Sequence, residues 1–492
     1  MRHHHFKSIT LIALILFSSF GRTLSAQPNP SYNKKIEERI ARVERSLGEA
    51  IKTDNNPILL QERMKFYNVP GVSIAVIKDY KLEWARGYGF ADKEQSIPVT
   101  TQTLFQAASI SKSLNAVGVL KLAQNGKVNL DADINTYLNT WKFPYDSAKG
   151  KKIITLRNIL SHTAGTSVHG FRGYAAGEEI PGITQILNGE KPANSQPVRS
   201  LFDAGTKYQY SGGGTTISQL VVMDVTHLPY DQYAQKNVLD PLGMKSSFYT
   251  IPSKEQKLSL LATGYRSDGN PVKGQYHVYP EQAAASLWTN PIELSNFITE
   301  LQLAYVGKSK KVLSKEWATA MITPVMNDAA LGTFIRTAGD EKYFSHGGAN
   351  EGFRCIYIGS VENGNGAVVM VNSDNGNILQ EILNSIATVY SWKDFYKPEI
   401  RIVVQIADDV LDSYVGEYAI SEQFKIAIRR NGKALKAQAT NQPEVDLFAE
   451  AQNKFFLKVT RAQIEFVKDD NNAITKLILH QNGQAMEGIR VK

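Results

Sequence analysis

The sequence is poor in groups that cross-link a fold or hold a metal. Cys355 is the only cysteine among the 492 residues, so no intramolecular disulfide can form. It lies in the apolar run 353–358, where we expect a buried, unreactive thiol rather than a nucleophile. His162 and His169 have no Glu partner and no His-Glu-x-x-His pattern, so we expect loop or structural roles for them and neither a metal nor another cofactor.

Three common functional signatures are also missing. No basic cluster alternates with aromatic residues, and a formal charge of +8 is mild for this length, so nucleic acid is not an expected partner. No Gly-x-Ser-x-Gly elbow occurs, so an α/β-hydrolase triad is not supported. The glycine run at 212–214 is not followed by Gly-Lys-Ser/Thr and therefore predicts a turn into a helix rather than a phosphate-binding loop.

A short apolar run near the N-terminus has the layout of a leader. Arg2 and Lys7 form a basic start, residues 9–20 are largely apolar, and Leu-Ser-Ala at 24–26 offers small residues for cleavage. This predicts a secretory signal peptide over residues 1–26. The run is shorter than the roughly 20 residues that span a bilayer. We therefore expect a soluble mature protein, periplasmic or secreted, that begins near Gln27.

Apolar spacing predicts an α+β fold for the first part of the mature chain. Residues 33–51 have the periodicity of an amphipathic helix. One β-hairpin is predicted at each end of the domain, joining 72–78 to 81–87 and 353–359 to 367–372. Hairpins rather than βαβ units favour an antiparallel sheet flanked by helices, with a helical insertion. The predicted helices are 110–125, 213–226, 231–239, 291–305, 314–322 and 376–391. The Gly/Pro/Asn-rich stretch 165–197 is predicted to be irregular, ordered and close to a site.

The pattern of predicted secondary structure changes after Pro398. Short predicted strands, such as 424–428, 455–459 and 474–479, alternate with turn signals and indicate a small antiparallel β-barrel. A chain of this length is expected to contain more than one domain. We divide the mature chain into residues 27–399 and residues 400–492.

A serine and a lysine stand together at the start of a predicted helix. Ser109 there lies in the field of the helix dipole, which favours negative charge on its oxygen, and its N–H has no intrahelical acceptor. Lys112 follows three residues later, on the same face. A desolvated lysine can take the proton of a hydroxyl nucleophile. Taken alone, Ser-x-x-Lys also fits a capped helix with a surface lysine.

Other motifs follow in order along the chain. Tyr-Gln-Tyr-Ser-Gly-Gly-Gly at 208–214 precedes a predicted helix, and His-Gly-Gly-Ala at 346–349 precedes a hairpin. With the segments 69–76, 155–165, 241–244 and 283–289, they resemble the serine β-lactamase, D-alanyl-D-alanine carboxypeptidase and esterase family, above all its class C-like branch. The resemblance covers about residues 57–390 and implies the β-lactamase/transpeptidase-like fold. Residues 411–418 resemble the lipocalin-like module that some peptidases of this family carry.

The resemblance implies a role for each matched residue. Ser109 would be the acylated nucleophile, Lys112 would help to move its proton, and Tyr210 would pass a proton to the leaving group. Which of Lys112 and Tyr210 is the base stays open, because an isolated tyrosine is a poor base at neutral pH and a coupled pair need not have one answer. The N–H groups of Ser109 and Ala349 would form the oxyanion hole. The remaining implied site residues are His346 and the substrate-bordering glycines Gly212, Gly347 and Gly348.

Two departures from the family pattern bear on the substrate. Gly212 stands where an asparagine usually offers an amide donor, and His346 stands where many β-lactamases have a lysine. A neutral imidazole binds a carboxylate poorly. Both changes point away from dedicated antibiotic hydrolysis. We expect an exported serine hydrolase acting on a peptide, peptidoglycan-like or ester substrate.

Two other interpretations of the function stay open. The first is a penicillin-binding sensor or scavenger on the same fold that is acylated but does not turn over. The second places the function in the C-terminal barrel, as the carrier of an apolar ligand. We favour a packing or access role for the barrel, because an eight-stranded barrel can be filled by its own side chains.

Overall fold

A seven-stranded antiparallel sheet lies at the centre of the larger part of the molecule. A computed structural model describes residues 29–54, 56–145, 152–252, 258–442, 444–458, 460–481 and 483–491. The predicted signal peptide, residues 1–26, and the expected start of the mature chain at Gln27 lie outside these ranges. Within them, no helix combines the length and the apolar character that a bilayer crossing requires.

The helices surround the sheet on both sides and also precede the C-terminal barrel. They are α1 (Lys34–Glu44), α2 (Leu60–Phe66), α3 (Ser111–Gln124), α4 (Leu156–Leu160), α5 (Ile183–Asn188), α6 (Gly212–Thr226), α7 (Tyr230–Ala234), α8 (Gln282–Ala285), α9 (Pro291–Tyr305), α10 (Lys315–Met321), α11 (Asn377–Val389) and α12 (Asp408–Tyr414). A wider helical turn, Gln235–Leu239, continues α7.

The strands fall into the central sheet, the barrel and two short pairs. They are β1 (Ile51–Lys52), β2 (Gly71–Lys78), β3 (Lys81–Asp92), β4 (Ile97–Pro98), β5 (Phe105–Gln106), β6 (Trp288–Thr289), β7 (Phe334–Ala338), β8 (Glu341–Asn350), β9 (Phe353–Ser360), β10 (Gly366–Val371), β11 (Glu399–Ile400), β12 (Gly416–Ala419), β13 (Lys425–Asn431), β14 (Ala434–Ala439), β15 (Val445–Ala449), β16 (Lys454–Phe456), β17 (Ala462–Lys468), β18 (Ile474–Gln481) and β19 (Gln484–Arg490).

The central sheet joins strands from both ends of the domain. Its order is β4-β3-β2-β10-β9-β8-β7, and β10 pairs antiparallel with β2. Both predicted hairpins are present as β2–β3 and β9–β10. Asp79 and Tyr80 have φ of 51° and 62°, the left-handed pair that a tight two-residue hairpin turn requires. The predicted α+β architecture, with helices inserted between the hairpins, is confirmed.

The two faces of the sheet bury separate clusters of apolar side chains. Along β2, Ile74 and Val76 join the cluster beneath α1, α2 and α11. Ala75 and Ile77, pointing the other way, join the cluster that contains α3, α6 and α9. This alternation follows from the two-residue period of a strand. Because both faces are covered, every residue of β2 before Lys78 is buried.

The first helix is shorter than its apolar pattern predicts. The pattern extends over 33–51, but α1 ends at Glu44, although Leu47 and Ile51 remain buried. Gly48, in the segment that follows α1, packs closely on α11, since a Cβ there would lie 2.5 Å from Cβ of Asn384. The amide of Asn384 also donates a 2.7 Å hydrogen bond to the carbonyl of Gly48. Burial of the apolar residues is thus achieved by an extended segment rather than by a longer helix.

The C-terminal strands close into an antiparallel barrel, as the sequence predicts. The eight strands β12 to β19 pair in succession, and β19 returns to β12. Side chains of the strands and of α12 fill its interior. The Tyr414 ring, at the end of α12, stacks on Phe466 with centroids 4.1 Å apart, and the hydroxyl of Tyr418 donates to the carbonyl of Tyr414.

Candidate active site

Ser109 lies in a short 3-10 turn that leads into α3. The turn comprises Ala108–Ile110, and α3 itself begins at Ser111, two residues later than the nucleophile candidate. Ala108 has φ of 49°, a left-handed value that residues with a Cβ seldom adopt. Backbone strain of this kind persists where the surroundings enforce it and is concentrated at functional sites. Here the N–H of Ala107 donates to the carbonyl of Leu287 at 2.7 Å and anchors the turn.

Lys112 is buried next to the Ser109 hydroxyl. Its Nζ donates to Oγ of Ser109 at 3.0 Å and to the carbonyl of Ala284 at 2.8 Å. The same ammonium lies 5.1 Å from the centre of the Tyr210 ring. Both acceptors are neutral oxygens, so these bonds orient the ammonium without cancelling its charge. The sequence spacing, one turn of helix, therefore brings the lysine to the serine as predicted.

Tyr210 is held by His162. The imidazole Nδ1 of His162 accepts the N–H of Ser211 at 3.2 Å, and the His162 carbonyl accepts the N–H of Gln209 at 2.8 Å. The backbone N–H groups of both sequence neighbours of Tyr210 are thus held by one residue. Burial, and then the charge of Lys112, lowers the pKa of His162 well below its usual range. A neutral ring whose Nδ1 accepts must carry its proton on Nε2.

His346 presents an unpartnered lone pair. Its Nδ1 lies 2.6 Å from the carbonyl of Gly347, which can only accept, so Nδ1 carries the proton. Burial, followed by the charge of Lys112, lowers the pKa of His346 to about 4. Nε2 is buried and has no hydrogen-bond partner among the described residues. At neutral pH the imidazole is therefore a neutral acceptor.

Part of β8 offers a strand edge to the site. β7 pairs with β8 only over residues 341–345, whereas β9 pairs with it over 343–350. In the described part of the chain, the second edge of 346–350 therefore has no strand beside it, and this segment faces the Ser109 turn. A Cβ at Gly348 would lie 2.3 Å from the carbonyl oxygen of Ala107, so only glycine permits this approach.

Cys355 lies directly beneath this edge. Its Sγ donates to the carbonyl of Ala107 at 3.1 Å, and the side chain is buried. Burial raises the pKa of the thiol. The prediction of a buried cysteine is confirmed.

A single cavity of about 940 Å³ brings most of the predicted residues together. The predicted residues that line it are Ser109, Lys112, Tyr210, His346, Gly347, Gly348 and Ala349. Gly212 is placed differently. It is buried at the first position of α6, and Phe171, rather than Gly212, lines the cavity within the described residues.

Among the lining residues that were not predicted as site residues are three with rings next to the predicted ones: His169, Phe171 and Phe334. His169 and Phe171 belong to the stretch 165–197, which the sequence does place near a site. The prediction that this stretch is irregular is wrong for α5 (Ile183–Asn188). The ring of His169 lies 4.9 Å from that of Tyr210. Phe334 begins β7, and its ring lies 5.2 Å from that of His346. No single-residue signal in the sequence distinguishes either phenylalanine from a core residue.

Comparison with known proteins places the arrangement in a family. Residues 59–384 match the Beta-lactamase family. This chain belongs to the beta-lactamase family. Members of this family are serine hydrolases, and the matched range includes the motifs that carried the resemblance. Residues 401–490 match a separate family, described as a domain of unknown function, DUF3471.

Individual beta-lactamase-family relatives are distant. Protein flp of Staphylococcus aureus (strain MRSA252) is 25% identical over 365 residues, which are 70% of this chain and 70% of that protein. Penicillin-binding protein 4* of Bacillus subtilis (strain 168) is 19% identical over 437 residues, 82% of this chain and 91% of that protein. The octameric penicillin-binding protein homologue from Pyrococcus abyssi has a TM-score of 0.58 at 20% identity, covering 87% of this chain and 98% of its own. At this identity the likeness to the solved structure shows a common fold.

Proposed function

We propose that the protein is an exported serine hydrolase that forms an acyl-enzyme at Ser109 with a peptide, peptidoglycan-like or ester substrate. One observation carries the proposal: Nζ of Lys112 lies 3.0 Å from Oγ of Ser109 in a cavity that Tyr210 and His346 also line. A nucleophile within hydrogen-bond reach of a candidate base is the geometry that covalent catalysis requires.

The proposed reaction has two steps. Oγ of Ser109 attacks the substrate carbonyl, its proton passes to Lys112 or Tyr210, and the leaving group departs with a proton from Tyr210. The N–H groups of Ser109 and Ala349 stabilise the oxyanion, each contributing about 3 kcal/mol. Water then attacks the acyl group by the same route and restores the serine. In the structure Nζ of Lys112 donates to Oγ of Ser109. For Lys112 to accept the serine proton, it must first lose one of its own. Otherwise Tyr210 must accept the serine proton.

Active-site labelling tests this proposal directly. The purified protein is incubated with a fluorescent fluorophosphonate and, separately, with a fluorescent penicillin, and the labelled peptide is mapped by mass spectrometry. We expect one label per chain on Ser109, none in Ser109→Ala, and normal labelling in Ser413→Ala, whose serine lies on the exposed side of α12. Failure of both probes on the wild-type protein, or a label that survives in Ser109→Ala, contradicts the proposal.

A second candidate is a sensor that is acylated without turnover. Gly212 in place of the family's asparagine favours it, because an amide donor is missing beside the acyl group. Hydrolysis of a nitrophenyl ester beyond one equivalent distinguishes the two. Steady release of nitrophenol rules out the sensor, and a single burst followed by a stable labelled serine supports it.

Export and the role of the barrel complete the proposal. The leader-like residues 1–26 support secretion, with the mature chain starting near Gln27; N-terminal sequencing of protein recovered from the culture medium or periplasm checks this. The packed interior around Tyr414 and Phe466 supports a packing or access role for residues 400–492 rather than carriage of an apolar ligand.

A further inference from the structure

The start of α6 is covered by a loop, residues 166–171, that reaches into the cavity. The N–H groups of Gly212 and Gly213 donate to the carbonyls of His169 and Val168, at 2.9 and 3.0 Å. The hydroxyl of Ser211 donates to the carbonyl of Ser167 at 2.7 Å. The first N–H groups of a helix have no intrahelical partner, so the 166–171 loop satisfies them and is fixed by them.

Two glycines make this contact possible. A Cβ at Gly212 would lie 3.0 Å from Cε2 of Phe171 and 3.2 Å from the carbonyl oxygen of His169. A Cβ at Gly213 would lie 2.8 Å from the carbonyl oxygen of Ser167. The ring of Phe171 therefore rests on the space that a side chain at 212 would fill. The Phe171 ring thus lines the cavity at the place where the family pattern has the amide of an asparagine.

The rest of the cavity wall carries little charge. Among the described residues that line it, Lys112 is the only Lys, Arg, Asp or Glu, and its Nζ is already bonded to Ser109 and Ala284. His346 is neutral and offers a lone pair rather than a donor for an anion. A carboxylate on the substrate would thus lose water without gaining a free cation, which is costly.

We propose that Phe171, seated on Gly212, is a specificity-determining residue that makes the Ser109 site select uncharged esters with an apolar acyl group. The inference rests on the proposed function. Oγ of Ser109 forms a bond to the acyl carbon, the bond from that carbon to the alcohol oxygen breaks, and the alcohol leaves with a proton. The acyl chain packs on Phe171 and Phe334. A substrate whose acyl group carries an amide is disfavoured, because the amide meets the ring of Phe171 where the family's asparagine would donate a hydrogen bond.

Two nitrophenyl esters of equal acyl length test the selection against charge. 4-Nitrophenyl butyrate and mono-4-nitrophenyl succinate differ by a carboxylate at the end of the acyl chain. We expect the wild-type kcat/KM to be at least about tenfold higher for the butyrate. A succinate ester hydrolysed as fast as the butyrate overturns the selection against charge.

A series of acyl lengths tests the role of Phe171. From 4-nitrophenyl acetate to butyrate to hexanoate, kcat/KM is expected to rise in the wild type. In Phe171→Ala the rise should be lost, with about a tenfold lower value for the hexanoate, while Phe171→Leu retains most of it. Phe66→Ala, whose ring is exposed on α2, is the matched control and should keep the wild-type series. An unchanged series in Phe171→Ala overturns the assignment.

Two variants that change Gly212 distinguish displacement of the Phe171 ring from a general loss of activity. Gly212→Asn should push Phe171 from its position and slow hydrolysis of the hexanoate. In the double variant Phe171→Ala/Gly212→Asn the ring no longer competes with the asparagine for space. The measured quantity is kcat/KM for an N-acylated amino-acid ester divided by kcat/KM for the hexanoate. This ratio should be at least about tenfold higher in the double variant than in Phe171→Ala. Equal ratios in the two variants contradict the claim that the Phe171 ring occupies the place of the family's side-chain amide.

The two proposals fail in different ways. If neither the fluorophosphonate nor the penicillin labels Ser109 in the wild type, the proposed function fails. If the label forms normally and esters turn over, but acyl length and charge do not depend on Phe171, the specificity inference alone fails. Thermal unfolding of each variant, together with its labelling rate, excludes misfolding as the cause of a lost preference.

Discussion

The ring of His162 lies against the ring of Tyr210, with their centroids 4.2 Å apart. His162 also accepts the peptide N–H groups on both sides of that tyrosine, one at its imidazole and one at its carbonyl. His162 has φ of 56°, so its backbone turns in the left-handed region to make both contacts. The histidine thus sets the direction of the phenol without being one of the groups assigned to proton transfer.

His162→Ala should therefore lower kcat more than it raises KM. A displacement of about 1 Å in a reacting group can cost about a hundredfold, so we expect kcat for an ester to fall roughly 10- to 100-fold with KM within about threefold. His162→Asn, which tolerates left-handed φ and can still accept from Ser211, should recover part of kcat. His227→Ala is the control, because that exposed histidine ends α6 with the same φ of 56°. Equal effects on kcat and KM in His162→Ala contradict a positioning role.

Lys112→Met should abolish most acylation while the protein stays folded. A positioned acid–base group contributes about 10²- to 10⁴-fold, and we expect a loss of that size in the fluorophosphonate labelling rate. Folding should survive, because the lysine bonds to neutral oxygens and its removal leaves no unpaired carboxylate. Lys121→Met, on the same helix but bonded to the carbonyl of Asn237, should label at the wild-type rate. A wild-type rate in Lys112→Met contradicts the assigned role.

The two neighbouring glycines of β8 should differ sharply in their tolerance of alanine. In Gly348→Ala the new methyl group meets the backbone oxygen of Ala107, which cannot move without displacing the Ser109 turn. We expect a destabilisation of about 1–3 kcal/mol and a large loss of labelling. Gly347 is exposed, and a Cβ there would lie 3.7 Å from the carbonyl oxygen of Cys355, so Gly347→Ala should unfold at the wild-type temperature. Similar melting temperatures for the two variants count against the tight contact.

Stability should decline on acidification partly through His346. Its pKa is about 4 in the folded protein against an ordinary value of 6.5. Between these values the unfolded chain binds a proton that the folded protein excludes, so the free energy of unfolding falls as pH drops from 6.5 toward 4. His346→Gln removes this titration and should flatten that part of the profile. Urea unfolding at about pH 7.5, 6 and 5 measures both slopes, and parallel slopes disagree with a neutral, buried imidazole.

Local patterns in the sequence predict most of the fold and much of the cavity. The hairpins at 79–80 and 361–365 and the Ser109–Lys112 spacing are local features, so chain neighbours alone reveal them. The end of α1 was misplaced because Leu47 and Ile51 continue the helical spacing and are buried beyond the end of the helix. Phe171 was missed because its place depends on glycines some forty positions later in the sequence. The sequence shows that Gly212 departs from the pattern but not what fills the space.

The pairing of β10 with β2 has a consequence for how the protein is made. Gly366 lies opposite Ile77, so the middle of the sheet is completed by residues about 290 positions apart. During synthesis, β2 and β3 emerge before β10, so the central sheet cannot be completed until residue 371 has left the ribosome. The domain around Ser109 therefore depends on contacts that form late in synthesis, and its folding is expected to be slower than that of a domain with mostly local contacts.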